Sequence, residues 1–324
     1  MQLRILGPLL VLMLSLWVSF YAPVGAAGSA SIAGQVSSPA STQTLPLVLM
    51  DDRGRNIRLN RHASRIVSLS PSITELVFEA GAGSKLVGVS RYSDYPEAAR
   101  SIPNIGDASN LDLERIVALR PDLVIAWRSG NAISDIEKLE KLGLAVFAIE
   151  AARLNDIPRL LRIAGQLAGT STQAESTAGA FEETLHQIRR SYGSHSKIRV
   201  FQLIWHQPLM TVNGNHVISD ILELCGGVNI FGSAPSLTPL VSVENLLEAD
   251  PQVIISSMSQ EFSESEVKAL LGRFSHISAI RRNNLYFVHP DLMHRQTARV
   301  IQAAKIVCAQ LESARLTLGA QGDG

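Results

Sequence analysis

Cysteine is nearly missing from these 324 residues: only Cys225 and Cys308 occur. That excludes a small disulfide scaffold and a cysteine-rich zinc site. Aromatic residues are sparse at 5%, and the formal net charge is zero, from 29 basic and 29 acidic residues. No long single-sign run occurs, so nothing marks a general nucleic-acid binder. Enzyme signatures are missing too: there is no G-x-S-x-G, no G-x-G-x-x-G after a strand, no Walker loop and no H-E-x-x-H. What is present is a globular composition, 46% apolar and 18% charged, on a chain long enough for two domains.

The start of the chain reads as a targeting segment. Arg4 precedes a mostly apolar run over 5–21, and the small residues Val24, Gly25, Ala26 and Ala27 follow. This fits a secretory signal over 1–26, removed on export, with 27–44 left as a flexible Ser/Ala/Gly leader. The competing reading is an uncleaved membrane anchor, for which the apolar core is short. Export means an oxidising compartment. There Cys225 and Cys308 either form a bridge, closing a loop of about 83 residues and worth roughly 4–5 kcal/mol at most by chain entropy, or stay as two buried thiols.

The stretch Leu111–Ala126 reads as one unit: Asp112 as helix N-cap, a short helix, Pro121 as the stop, then the buried-strand run Leu-Val-Ile-Ala. Val241–Ser256 repeats it, with Ser242 as the cap. Glu114 matches Glu244 and Pro121 matches Pro251, both pairs 130 positions apart (114 to 244, 121 to 251). A second echo sets Ile73–Gly81 against Ile218–Gly226, so the chain reads as two related lobes.

Strand and helix signals alternate through both halves. Residues 45–59 form a hairpin around Gly54. Residues 65–70 are a strand; Pro71 opens a helix whose Ser72 and Glu75 make a capping box, with Ile73, Leu76, Val77 and Ala80 as its apolar face. Between the halves, Ala174, Ala178, Phe181, Leu185, Ile188 and Tyr192 recur at steps of four and three, predicting one long stiff helix over 172–192, and a last helix over 297–311 closes the fold. The predicted fold class is α/β: two Rossmann-like lobes with mostly parallel sheets, at 45–170 and 195–318, joined by a rigid helix at 171–194 and followed by a loose tail at 319–324, with a ligand cleft between the lobes.

Ligand sites in such sheets lie beyond the carboxyl ends of strands. Those positions hold Tyr92, Asp94 and Tyr95; Trp127 and Arg128; Trp205, His206 and Met210; and Asp291, Met293 and Arg295. Aromatic faces with a few polar groups suit a large flat or amphipathic molecule; the plainer reading is that the tryptophans pack loops. His289, Asp291 and His294 are the nearest approach to a metal cluster and would support an exported metal-dependent enzyme, although a solvated two-histidine loop accounts for them as well. Glu114 and Glu244 each favour a helix dipole locally, and their repetition suggests two docking points for a partner.

The segments RIVSLSPSITEL, GVSRYSDYP and LDLERIVALRPDLVIAWRSGN resemble the periplasmic receptors for iron-siderophores, haem and cobalamin that feed bacterial ABC importers, and the likeness runs from about Leu45 to Leu311. The resemblance implies a non-enzymatic, periplasmic, monomeric solute-binding protein without a cofactor of its own and without a nucleic-acid partner. Its ligand would be a corrinoid, foremost cobalamin, with haem or a ferric siderophore as the alternative. It implies ligand contact by Tyr92, Trp127, Asp291 and Arg295, docking of Glu114 and Glu244 on arginines of the two permease subunits, and a disulfide between Cys225 and Cys308. Two tryptophans that cobalamin receptors carry before the docking glutamates are replaced here by 106–110 and 237–240; Trp205 is expected to compensate.

Overall fold

The computed structural model describes residues 46–257 and 264–319. The expected signal, leader and last tail residues lie outside this range. Among the described residues no helix is long and apolar enough to cross a membrane.

The chain opens on an antiparallel hairpin, β1 (Leu47–Met50) and β2 (Asn56–Leu59), as its turn signals predict. The first lobe then alternates β3 (Ile66–Ser68), α1 (Pro71–Glu79), β4 (Leu86–Val89), a two-residue ribbon β5 (Gly106–Asp107) and β6 (Asn110–Leu111), α2 (Leu113–Ala118), β7 (Leu123–Trp127), α3 (Ile133–Lys141), β8 (Val146–Ile149) and α4 (Asp156–Ala168). The linker α5 (Ser171–Tyr192) follows. The second lobe holds β9 (Ile198–Leu203), the small hairpin β10 (Trp205–His206) and β11 (Leu209–Met210), α6 (Val217–Leu224), β12 (Gly227–Asn229), α7 (Val243–Ala249), β13 (Val253–Ser256), α8 (Glu264–Gly272), α9 (Ser278–Arg281), β14 (Leu285–Phe287), α10 (Pro290–His294) and α11 (Val300–Gly319).

The two main sheets have the same plan. Strand order is β4-β3-β7-β8 in one lobe and β12-β9-β13-β14 in the other, with parallel pairing throughout. The repeat read from the sequence therefore maps element on element: β3 on β9, β7 on β13, α2 on α7. The caps agree as well. Asp112 accepts from the Arg115 N–H at 2.9 Å, and Ser242 from the Asn245 N–H at 3.1 Å.

The predicted stripe of α5 is buried: Ala174, Ala178, Phe181, Leu185 and Ile188 are each no more than 6% exposed. These residues join one apolar core that continues into both lobes through α4, α6 and α11. Close approach of α4 to α5 needs Gly165, where a Cβ would stand 2.4 Å from that of Ala174. A helix seated this way works as a wedge between the lobes rather than as a tether. A disulfide joins Cys225, after α6, to Cys308 on α11, both fully buried.

Two expectations shift. The N-cap of α1 is Ser70, not Ser72, because Pro71 occupies the first turn, and Ser70 Oγ accepts from the Ile73 N–H at 3.3 Å. Glu75 is thus no part of a capping box. The last helix begins at Val300 rather than Thr297 and runs on to Gly319.

Candidate functional site

The segments that follow β4 and β14 meet at a junction built from both lobes. In the first lobe the turn after β4 places Tyr92 in the left-handed region, at φ 67°, with its side chain 69% exposed. Trp127 ends β7 and is half-buried. Its indole lies on Gly130, where a Cβ would come within 1.8 Å of the ring. Its Nε1–H donates to Glu150 Oε1 at 3.2 Å, and its backbone N–H donates to Asn131 Oδ1 at 2.7 Å. Asn131 is itself buried and donates to the carbonyls of Leu69 and Ala108. The ring is thus held in one pose, leaving beside it a space of about 20 Å³ that Gln296 of the second lobe also lines.

Arg295, expected to address a ligand, is engaged between the lobes. Nη1 donates to Glu75 Oε1 and to Asp94 Oδ1, both at 2.8 Å; Nη2 donates to the Tyr92 carbonyl at 3.2 Å and pairs with Asp291 Oδ1 at 3.0 Å. Glu75, 1% exposed, also receives Arg299 Nη1 at 2.9 Å and Thr297 Oγ1 at 3.0 Å. One turn along α1, Glu79 accepts from the Ala298 N–H at 2.9 Å. The Arg299 guanidinium lies 3.7 Å from the centre of the Tyr95 ring. Segment 295–299 of the second lobe is therefore clasped by α1 and the 92–95 turn of the first. Burial works to raise the pKa of Asp94, but the hydrogen bond and charge of Arg295 outweigh it and hold the group below its ordinary value. For Glu79 burial prevails: with Glu75 as a like charge nearby, and against the Ala298 bond and Arg299, its pKa rises to about 7.

The sequence reading missed this clasp, although it left a signal. Glu75 and Glu79 are like charges four residues apart on one helix, which is unfavourable unless a partner meets them. Arg295 and Arg299 have the same spacing and the opposite sign.

Trp205 sits on the β10–β11 hairpin, 38% exposed, with Nε1–H donating to the Gln207 carbonyl at 3.0 Å. At the end of β13, where the first lobe has Trp127, Ser257 receives Gln202 Nε2 at 2.8 Å and sits 2.8 Å from His294 Nε2. Burial lowers the His294 pKa, and it takes that of His216 down to about 4 with help from the charge of His294. Both rings are therefore neutral at pH 7. His289 caps α10 through Nδ1, accepting from the Asp291 N–H at 3.2 Å, so the suspected metal residues have structural partners. No group of three or more potential metal ligands exists among the described residues.

Glu114 and Glu244 occupy the first turns of α2 and α7. Both are exposed, and the burial pattern of 111–119 recurs over 241–249. Among the described residues neither carboxylate has an ion pair, so each is available to a partner.

A profile of periplasmic binding proteins matches residues 66–292. The vitamin B12-binding protein of Vibrio parahaemolyticus is 32% identical over 259 residues, covering 79% of this chain and 92% of that protein. The crystal structure of the periplasmic vitamin B12 binding protein of Vibrio cholerae superposes with a TM-score of 0.72 at 32% identity, covering 78% of this chain and 98% of the other. A periplasmic haem binding protein from Pseudomonas aeruginosa shares the fold, with a TM-score of 0.68 at 24% identity over 76% of this chain and 92% of that one. The protein is thus a bilobed periplasmic solute receptor that serves an ABC importer and is not an enzyme. It belongs to the periplasmic vitamin B12-binding protein family.

Proposed function

We propose that the chain captures a corrinoid, foremost cobalamin, and presents it to the importer's membrane subunits through Glu114 and Glu244. The observation that carries the ligand is the state of Arg295: its guanidinium is satisfied by Glu75, Asp94 and Asp291. Haem propionates or an anionic siderophore call for an uncommitted cation in the cleft. Of the other strand-end arginines, Arg91 is 4.0 Å from Asp107, which leaves Arg128. A corrinoid carries neutral carboxamides around a broad macrocycle, and aromatic faces with neutral hydrogen-bonding groups suit it better. Tyr92 and Trp127 supply such faces from one lobe and Trp205 from the other. Among the described residues the Asp291 carboxylate is paired only through Oδ1, which keeps Oδ2 for a carboxamide N–H, while Arg295 shapes the wall behind. The vitamin B12-binding relatives point the same way.

The second reading is a haem receptor, favoured by the neutral imidazoles of His216 and His294, which are chemically suited to iron. Tryptophan fluorescence tests between the two. Cyanocobalamin should quench it saturably with submicromolar affinity, and Trp127→Ala should weaken binding by about tenfold, or roughly 1.4 kcal/mol. A response to haemin alone would replace the first reading with the second.

A further inference from the structure

The clasp reaches a residue that the ligand is proposed to touch, and it does so through a carboxylate that the ligand does not touch. Tyr92 is a non-glycine residue at φ 67°, a conformation that needs support from its surroundings. Its support comes from both lobes. The Tyr92 carbonyl accepts from the Asp94 N–H at 3.0 Å within the turn and from Arg295 Nη2 at 3.2 Å across the junction. Arg295 can serve that carbonyl only while its fork is oriented, and the buried end of the fork is fixed by Glu75. Glu75 is almost fully buried, so its charge has no water to fall back on; Arg295, Arg299 and Thr297 take that place, all from the other lobe.

We propose that Glu75 is a positioning residue of the binding cleft: acting through Arg295, it locks the 92–95 turn and so presents the Tyr92 ring to the solute only when the two lobes are seated on each other. This rests on the reading of Tyr92 as a ligand contact. The consequence is that binding and lobe seating are coupled through one turn. Cleft residues of the first lobe are set partly by the second lobe before any solute arrives, which lowers the ordering cost of binding.

The test is a double-mutant cycle with cyanocobalamin as the probe, read alongside amide hydrogen exchange of the ligand-free protein. Glu75→Gln keeps the shape and removes the charge. Arg295→Lys keeps the charge and removes the fork, and serves if the first variant folds poorly. Either change should speed exchange at the Asp94 and Ala298 amides about tenfold and weaken cyanocobalamin binding about tenfold. On a Tyr92→Ala background the same change should cost almost nothing further in affinity. Full additivity of Glu75→Gln and Tyr92→Ala, or unchanged exchange at Asp94, would overturn the proposal. Should the wild type ignore cyanocobalamin, the cycle is run with haemin. The corrinoid reading then falls by itself, and non-additivity with haemin still decides the role of Glu75.

Discussion

Glu79 shows what one buried carboxylate contributes. Its pKa of about 7 means that the folded protein holds a proton there which the unfolded chain, near 4.5, has released. Between those values the native state binds more protons, so stability falls as pH rises from about 4.5 to 7 and then levels off. Glu79→Gln keeps an acceptor for the Ala298 N–H and removes the titration. Denaturant unfolding should show a flatter pH profile for this variant, and at pH 8 a gain approaching 2–3 kcal/mol as an order of magnitude. An unchanged profile would mean that Glu79 ionises as freely in the fold as in water. The same residue scale explains what sequence could not supply. The four residues from Ser72 to Glu75 satisfy a capping-box pattern, but the pattern is local. Pro71 moved the cap to Ser70, and the Glu75 carboxylate went to Arg295, 220 residues away. No short-range rule reaches that distance. Trp205 was legible as a strand-end aromatic. The hairpin that turns its indole back to the Gln207 carbonyl was not, because two-residue strands carry no periodic signal.

At the scale of elements the sequence was more informative. The α5 stripe was visible because a helix of 22 residues repeats its period often enough to stand out. The α2 and α7 units were visible because cap, apolar run and proline stop all repeat. Matching cap geometry predicts matching energetics: Asp112→Ala and Ser242→Ala should each cost about 1 kcal/mol, seen as a drop of about 2–4 °C in the melting temperature. A large cost at one site and none at the other would break the equivalence of the lobes. The first turn of α11 was misplaced for a tertiary reason. Thr297 is completely buried and gives its hydroxyl to Glu75, so the chain remains in the clasp until Val300.

For the whole molecule, a buried linker helix and the clasp allow little relative motion of the lobes. A second tie adds to this, where Arg153 Nη1 donates to the Gly214 carbonyl at 2.8 Å and the Leu154 N–H to Asp220 Oδ2 at 2.9 Å. A receptor built this way holds Glu114 and Glu244 at a fixed spacing, which under the proposed docking role lets both meet a membrane partner at once. Replacing Glu114 and Glu244 together with Ala should leave solute affinity unchanged and reduce importer-dependent uptake at least tenfold; normal uptake by the double variant would refute their role. The strand ends, by contrast, differ between the lobes: Trp127 of one corresponds to Ser257 of the other.

Isothermal titration of the exported protein with cyanocobalamin and, separately, with haemin is the most direct measurement. The proposed contacts Tyr92, Trp127 and Trp205, beside a buried Arg295 that is already neutralised, predict a submicromolar dissociation constant for cyanocobalamin, stronger than about −8 kcal/mol, and haemin binding at least ten times weaker. Tight binding of haemin with no heat from cyanocobalamin would contradict it.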